Sequence, residues 1–232
     1  MRITFILFIF ILSSCNQVKK ENRVVKKAGT TAEINKEQLV AMLDTIWRTE
    51  QEPIRLRDSL GKVHGYESEE FQKQNDIYHR NHDINEKKLL YLLDTQGWPD
   101  KSIVGEQGHL TICNVLQHSD IEVRKNYLPM MKMAVKEKGL APRLLARSED
   151  RLATDRGKLQ IYGGQIKYYP ETKSFNVWPI VDPENVDKRR ADIGLVPMAE
   201  FLANLRNPLK WDLEEQIRRT KEFELERSKK EE

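Results

Sequence analysis

The sequence contains few cysteines and no long apolar segment. Only two cysteines, Cys15 and Cys113, occur among its 232 residues. The longest apolar run covers ten residues, 3–12, whereas a helix that crosses a bilayer requires about 20. Walker, GxSxG and HExxH motifs are also absent, which excludes the phosphate loops, nucleophile elbows and zinc-protease sites that those motifs build.

The charges are numerous and close to balanced. Lys and Arg number 39 and Asp and Glu number 36, which gives a formal net charge of +3 with 32% of the residues charged. Binding to nucleic acid would require a clustered basic face, so no nucleic acid is expected as a partner. The length suits one domain with extensions better than two domains.

The first fifteen residues have the parts of a secretory signal. Arg2 precedes the apolar run, and two small residues precede Cys15. The ending Leu12-Ser13-Ser14-Cys15 resembles the lipobox of bacterial lipoproteins, in which the signal is cut before the cysteine and the cysteine is acylated. The resemblance implies a signal peptide over 1–14 and a lipid anchor on Cys15, because two or three acyl chains hold a protein firmly in a membrane. The alternative is an ordinary signal peptide with a chance cysteine.

The segment after Cys15 indicates where the protein is attached. Asn16 follows the cysteine, and by analogy with the sorting rule of enteric bacteria a residue other than Asp favours the outer membrane. The expected location is the cell membrane or outer membrane, with the domain facing the periplasm. Residues 15–32 are polar and basic, which predicts a flexible spacer whose cations could contact anionic headgroups.

Cys113 is the remaining cysteine once Cys15 carries a lipid, so no intramolecular disulfide can form. It lies among apolar residues in the segment LTICNVL, which predicts a small buried hydrophobic residue. The alternative is a nucleophile, with His109 and His118 nearby in the sequence as candidate bases.

Apolar residues recur at steps of three and four over most of the chain, which predicts helices. The first begins near Asn35 and is interrupted or kinked at Pro53, and short helices begin at Asp182 and Pro197. The other helices are expected at about 68–96, 103–118, 121–138 and 142–154. Residues 159–181 show strand patterns on both sides of a turn, which predicts a β-hairpin.

These patterns predict a mainly α (α+β) fold, a helical domain with one small β-hairpin. The α-rich globular domain is expected over 33–206 with the hairpin near 159–181. Residues 207–232 predict a charged and solvated C-terminal helix, since opposite charges recur there at four-residue spacing.

Short motifs are spread over residues 50–202. They are Glu50-Gln51, Arg55, Gly97-Trp98-Pro99, Gln117-His118-Ser119-Asp120, Asp150-Arg151, Gln160 to Gln165, Asp182-Pro183, Val186 to Arg190 and Gly194-Leu195. No single motif is specific, but their order and spacing together resemble those of a family of bacterial proteins of unknown function. The resemblance implies a shared domain and supplies no mechanism, because the family has no established activity.

His118 and Asp150 are the candidate catalytic residues. In a catalytic interpretation, His118 acts as a general base oriented by a carboxylate such as Asp120 or Asp150. In a structural interpretation, His118 donates a hydrogen bond to carbonyls that lack an intrahelical partner at a helix C-terminus, while Asp120 caps the next helix.

The segment Gln160-Ile161-Tyr162-Gly163-Gly164-Gln165 offers groups for hydrogen-bonding recognition. If Gln160 begins a strand, Gln160 and Tyr162 share one face of it. The two glycines allow a ligand to approach the backbone, and Gln165 can both donate and accept. A structural glycine bulge is the alternative.

Arginines supply the remaining candidates for ligand binding, Arg151 and Arg190. An arginine offers a planar fork for a carboxylate or phosphate, so an anion pocket is one interpretation. The simpler interpretation is an ion-pair network in which Asp150, Arg151, Asp187 and one arginine clamp the hairpin to the helices. His79 and His82 have a spacing that zinc accepts, but solvated histidines are the simpler explanation and no metal site is predicted.

The sequence therefore favours a membrane-anchored lipoprotein that binds a small or peptide-like ligand, without a cofactor, in a pocket between the hairpin and the central helices. Two alternatives remain. One is a hydrolase or transferase with His118 as general base, and the other is an interaction scaffold at the cell envelope that uses its C-terminal helix.

Overall fold

The computed structural model describes residues 34–231. The predicted signal peptide, Cys15 and the spacer lie outside this range. The described part contains eight α-helices, one 3₁₀ helix and one two-stranded antiparallel sheet, in agreement with the predicted fold class. The helices are α1 (Lys36–His64), α2 (Glu69–Gln96), α3 (Lys101–His118), α4 (Ile121–Glu137), α5 (Pro142–Asp155), α6 (Val186–Ala191), α7 (Met198–Ala203) and α8 (Leu213–Glu231); the strands are β1 (Ile166–Tyr169) and β2 (Ser174–Val177).

Local signals in the sequence explain where the helices begin. Asn35 forms a capping box with Gln38, Ser68 accepts from the Phe71 amide, and Asp120 accepts from the Val123 amide as predicted. Helix α1 continues through Pro53, so the expected interruption there is wrong. Asp182 also departs from expectation: its side chain caps no helix, and a 3₁₀ helix, Pro183–Asn185, precedes α6.

A large apolar core lies among the first five helices. Leu43 and Ile46 of α1 pack with Leu89 of α2 and Ile112 of α3, and all four side chains are almost completely buried. Cys113 belongs to the same cluster, and burial raises the pKa of its thiol to about 12. The prediction of a small buried hydrophobic residue is therefore confirmed.

A second apolar cluster lies beneath the hairpin. Val177 and Ile180 pack with Val186, Met198 and Leu202. The strands pair in register from Ile166 opposite Val177 to Tyr169 opposite Ser174.

Helix α8 packs against the hairpin, so the expectation that it is solvated is wrong for one of its faces. Thr220 is buried and its hydroxyl pairs with the amide and the carbonyl of Ile180 at 3.3 Å. The Arg219 guanidinium lies 4.1 Å from the centroid of the Tyr169 ring. Within residues 34–231, no helix has the length and apolar character that a membrane span needs.

Candidate functional site

Helix α5 carries the charged residues around which the candidate site is built. Pro142 occupies its first turn, where the missing N–H leaves no hydrogen bond unmade. Arg143, Arg147 and Asp150 follow at steps of four and three residues, so the three side chains share one side of the helix. That side lines a cavity.

Asp150 ties the loop of residues 161–164 to α5. The residue is completely buried, and its carboxylate accepts hydrogen bonds from three backbone amides: Ile161 at 2.7 Å, Tyr162 at 2.9 Å and Gly164 at 2.8 Å. Burial raises the pKa of Asp150, while these three hydrogen bonds act in the opposite direction. The carboxylate is thus occupied by the backbone and shapes the loop.

Gln160 and Gln165 brace the hairpin. The Gln160 side chain is completely buried, accepts from the Gln165 amide at 2.8 Å, and donates to the carbonyls of Gln165 and Trp178. Gln160 does not begin a regular strand, because it forms only an isolated bridge with Ile180. The predicted common strand face of Gln160 and Tyr162 is therefore wrong.

Arg190 projects from α6 into the same region. It is only 2% exposed, and it donates from Nε to the Val196 carbonyl and from Nη1 to the Tyr162 carbonyl, both at 2.6 Å. Its guanidinium carbon lies 4.9 Å from the centroid of the Phe201 ring. Burial lowers the pKa of Arg190, with Asp187 and Asp150 acting in the opposite direction. Within the described residues its Nη2 nitrogen forms no hydrogen bond.

A cavity of about 400 Å³ opens between α5, the loop 161–164 and residues 190–201. Its charged and polar side chains are those of Arg143, Arg147, Asp150, Tyr162 and Arg190. Three cations therefore face one carboxylate that already accepts three amides, which makes the cavity favourable for an anion.

The rest of the cavity wall is mainly apolar. It consists of side chains from α5, α7 and the segment between α6 and α7: Leu144, Ala146, Leu195, Val196 and Phe201. A ligand that fits this wall would bury hydrocarbon surface as well as an anionic group.

The structure brings together three of the seven residues proposed from the sequence for catalysis or ligand binding. Asp150, Tyr162 and Arg190 line the cavity, whereas His118, Arg151, Gln160 and Gln165 do not. Arg151 instead pairs with Asp155 through its Nε atom at 3.3 Å. The proposed ion-pair network is therefore wrong, because Asp150 and Arg190 both hold the loop through backbone groups and not through each other.

His118 is the last residue of α3 and does not line that cavity, and its ring centroid lies 6.4 Å from that of Tyr78. The pKa of His118 is lowered to about 4, mainly by desolvation of the ring. The charges of Arg147, His82 and Arg151 act in the same direction, so the ring is neutral at pH 7. Within residues 34–231 no carboxylate forms a hydrogen bond or salt bridge with it. Its predicted role as a general base stays a prediction, without an orienting carboxylate.

The structure presents a different histidine–carboxylate pair, between α1 and α2. The Nδ1 atom of His82 lies 3.3 Å from Oε1 of Glu50, and Asn85 donates to the same oxygen at 3.0 Å. The hydrogen bond with Glu50 is the main reason that the pKa of His82 is raised. The Nε2 atom of His82 is buried without a hydrogen-bond partner in the described part of the chain and lies 3.8 Å from Glu86.

Arg143 and Arg147 are the functional candidates that sequence reasoning missed. Their spacing of four residues, with Asp150 three residues further, was the available signal. Neither arginine forms a hydrogen bond or salt bridge within the described residues, which distinguishes both from Arg151 and Arg189.

Comparison with known protein families provides a match. The model of DUF6624, a family of unknown function, matches residues 76–211, which is more than half of the chain. The matched range contains every residue that lines the cavity. No curated protein and no solved structure shows a significant match.

Proposed function

We propose that this chain, which belongs to the DUF6624 family of unknown function, binds a small ligand with one anionic group and an apolar portion. The ligand occupies the cavity between α5 and residues 190–201. The observation that supports this most directly is the buried guanidinium of Arg190, which lines the cavity and leaves Nη2 without a hydrogen bond among the described residues. A guanidinium donor that lines a cavity without a protein acceptor is available for a charge-assisted hydrogen bond with an acceptor from a ligand.

The charges around Arg190 favour an anion over a cation. Arg143 and Arg147 line the cavity and are free of hydrogen bonds and salt bridges within residues 34–231. Asp150 is the one lining carboxylate, and its oxygens accept backbone amides. A cationic ligand would therefore meet three arginines with little compensation, whereas a carboxylate gains at least one charge-assisted hydrogen bond.

Isothermal titration calorimetry with 3-phenylpropionate tests the proposal, and the neutral 3-phenylpropanamide is the matched probe. The acid should bind at least about tenfold more tightly than the amide, since one charge-assisted hydrogen bond contributes about 1.5–3 kcal/mol. Arg147→Gln should weaken binding of the acid by a similar factor. Arg156→Gln, an exposed position outside the cavity, is the control and should leave affinity unchanged. Equal affinities for acid and amide would contradict the proposal.

The attachment to a membrane is a second part of the proposal. The predicted signal sequence and the resemblance of residues 12–15 to a lipobox support a lipid on Cys15, with the domain at the membrane surface facing the periplasm. Labelling with radioactive palmitate tests this. Cys15→Ala should lose both the label and membrane association, and a variant that retains both would refute the anchor.

The two alternatives have less support. A hydrolase with His118 as base would need a carboxylate that orients the ring, and none does so in the described part of the chain. A scaffold that recruits partners through α8 would need a free helix, but one face of α8 packs on the hairpin.

A further inference from the structure

A second cavity adjoins the anion-binding cavity. Its volume is about 300 Å³, and it lies between the first half of α3 and the start of α5. Arg143 and Leu144 line both cavities, so the two are neighbours along the first turn of α5. A ligand long enough to pass these two residues would contact lining residues of both cavities.

The two cavities differ in chemistry. The first combines cations with an apolar wall that includes Leu195 and Phe201. The second is lined by the Lys101–Glu106 ion pair, with 2.9 Å between Nζ and Oε1, and by Gln107. These side chains provide hydrogen-bond donors and acceptors beside the apolar surface of Leu110, Ala141 and Leu144, a combination that suits a peptide, with its backbone amides and small side chains.

Helix α5 runs along both cavities, so the distance between its outermost lining residues gives the combined length of the two cavities. Ala141 lines the second cavity and Asp150 lines the first, nine residues further along the chain. At a rise of 1.5 Å per residue, this separation is roughly 13 Å. An extended peptide advances about 3.3–3.6 Å per residue, so roughly four residues fit along the two cavities.

We propose that the ligand is a peptide with a free C-terminal carboxylate and an apolar last residue, bound along the first turns of α5. The carboxylate lies against Arg147 and Arg190, the last side chain lies on the apolar wall near Phe201, and the preceding amides occupy the second cavity. This inference rests on the proposed function, because it places the anionic group in the same cavity, and it adds the chemical class and direction of the ligand.

A series of N-acetylated peptides with a free C-terminal phenylalanine tests the inference. The probes are acetyl-Phe, acetyl-Ala-Phe, acetyl-Ala-Ala-Phe and acetyl-Ala-Ala-Ala-Phe, titrated by calorimetry into the full chain. Affinity should rise with length by about tenfold or more in total, the gain expected of one or two net hydrogen bonds. Amidation of the C-terminus should abolish most of the binding at every length.

Gln107→Trp provides the matched test of position. The added ring should fill the second cavity, so the gain with length should disappear while acetyl-Phe binds as before. Gln96→Trp, at an exposed residue that lines neither cavity, is the control and should retain the gain. If acetyl-Phe binds but affinity does not increase with length, the peptide inference is overturned and the anion cavity stands. If neither acetyl-Phe nor 3-phenylpropionate binds, the proposed function itself fails.

Discussion

Replacement of Asp150 by asparagine is the perturbation whose effect the structure defines best. The substitution keeps the shape of the side chain and removes its charge. One oxygen then becomes an NH₂ group, so at least one of the amides of Ile161, Tyr162 and Gly164 faces a donor instead of an acceptor. We expect the loop 161–164 to loosen from α5.

The magnitude follows from the number of hydrogen bonds. A hydrogen bond to a charged group contributes about 1.5–3 kcal/mol, and a buried donor left without a partner costs about 1–3 kcal/mol. Asp150 is completely buried, so solvent cannot replace the lost acceptor. Relief of the carboxylate's desolvation offsets part of the loss. We expect Asp150→Asn to lower the free energy of unfolding by about 2–4 kcal/mol.

Urea denaturation measures this effect, and hydrogen exchange locates it. Asp155→Asn is the matched control on the same helix, because the side chain of Asp155 is 21% exposed and accepts from side chains of Arg124 and Arg151 but from no backbone amide, so its replacement should cost less than that of Asp150. In Asp150→Asn, amide exchange should accelerate over 160–165 before it does so in α1. A loss no larger than that of Asp155→Asn would refute the role assigned to Asp150.

Three further predictions concern other parts of the fold. The hydrogen bond with Glu50 raises the pKa of His82 in the folded state. The protonated ring therefore stabilises the fold fully below about pH 6.5, the pKa of an unfolded histidine, and this stabilisation is lost as the pH rises through the folded-state pKa. His82→Gln should accordingly lower the free energy of unfolding most below about pH 6.5. Gly163→Ala should cost about 2–4 kcal/mol, since φ is +78° and the new Cβ would lie 2.6 Å from Sδ of Met198. Deletion of 213–232 should make the β1–β2 hairpin sensitive to proteases, since it removes the contacts of Thr220 with Ile180.

A specific experimental outcome would contradict each of these three predictions. A pH-independent difference between His82→Gln and the parent chain, measured by urea denaturation, would contradict the pKa argument. Gly157 also has a positive φ, of +61°, but nothing lies within 4 Å of a Cβ placed there, so Gly157→Ala should cost less than Gly163→Ala. Equal losses would contradict the steric argument. A truncated chain that protects its hairpin from proteases would show that the contacts of α8 are dispensable.

Much of the helical fold could be predicted because helix ends depend on local chemistry. Ser68 and Asp120 accept from amides three residues further along the chain, so the capping signal and its structural result lie within one turn. The apolar periodicity of α1 likewise reports directly on its buried face. Pro53 was misjudged because a proline can remain within a long helix when tertiary packing holds it, and it is buried here.

The packing of α8 could not be predicted because its buried contacts are polar. Gln216 and Thr220 face the hairpin in place of an apolar stripe, and charged residues surround them in the sequence. Gln160 was misjudged for a related reason. Its amide is satisfied by Gln165 and Trp178, which lies 18 residues away, and only the folded hairpin brings that carbonyl close.

The candidate site was predicted in part. Asp150, Tyr162 and Arg190 were identified as candidates and line one cavity, because the motif residues on α5, the loop and α6 converge there. Arg143 and Arg147 were missed because their spacing from each other and from Asp150, the one signal in the sequence, is equally typical of a solvated helix face. Their significance arises only when α6 and α7 close the other side of the cavity.

A crystal structure of the chain with bound 3-phenylpropionate tests the central claim most directly. The account predicts the carboxylate within hydrogen-bonding distance of Arg147 or Arg190 and the ring against Leu195 and Phe201. A ligand bound elsewhere on the surface, or an empty cavity at a concentration that saturates binding in calorimetry, would contradict the assignment of this cavity as the anion site.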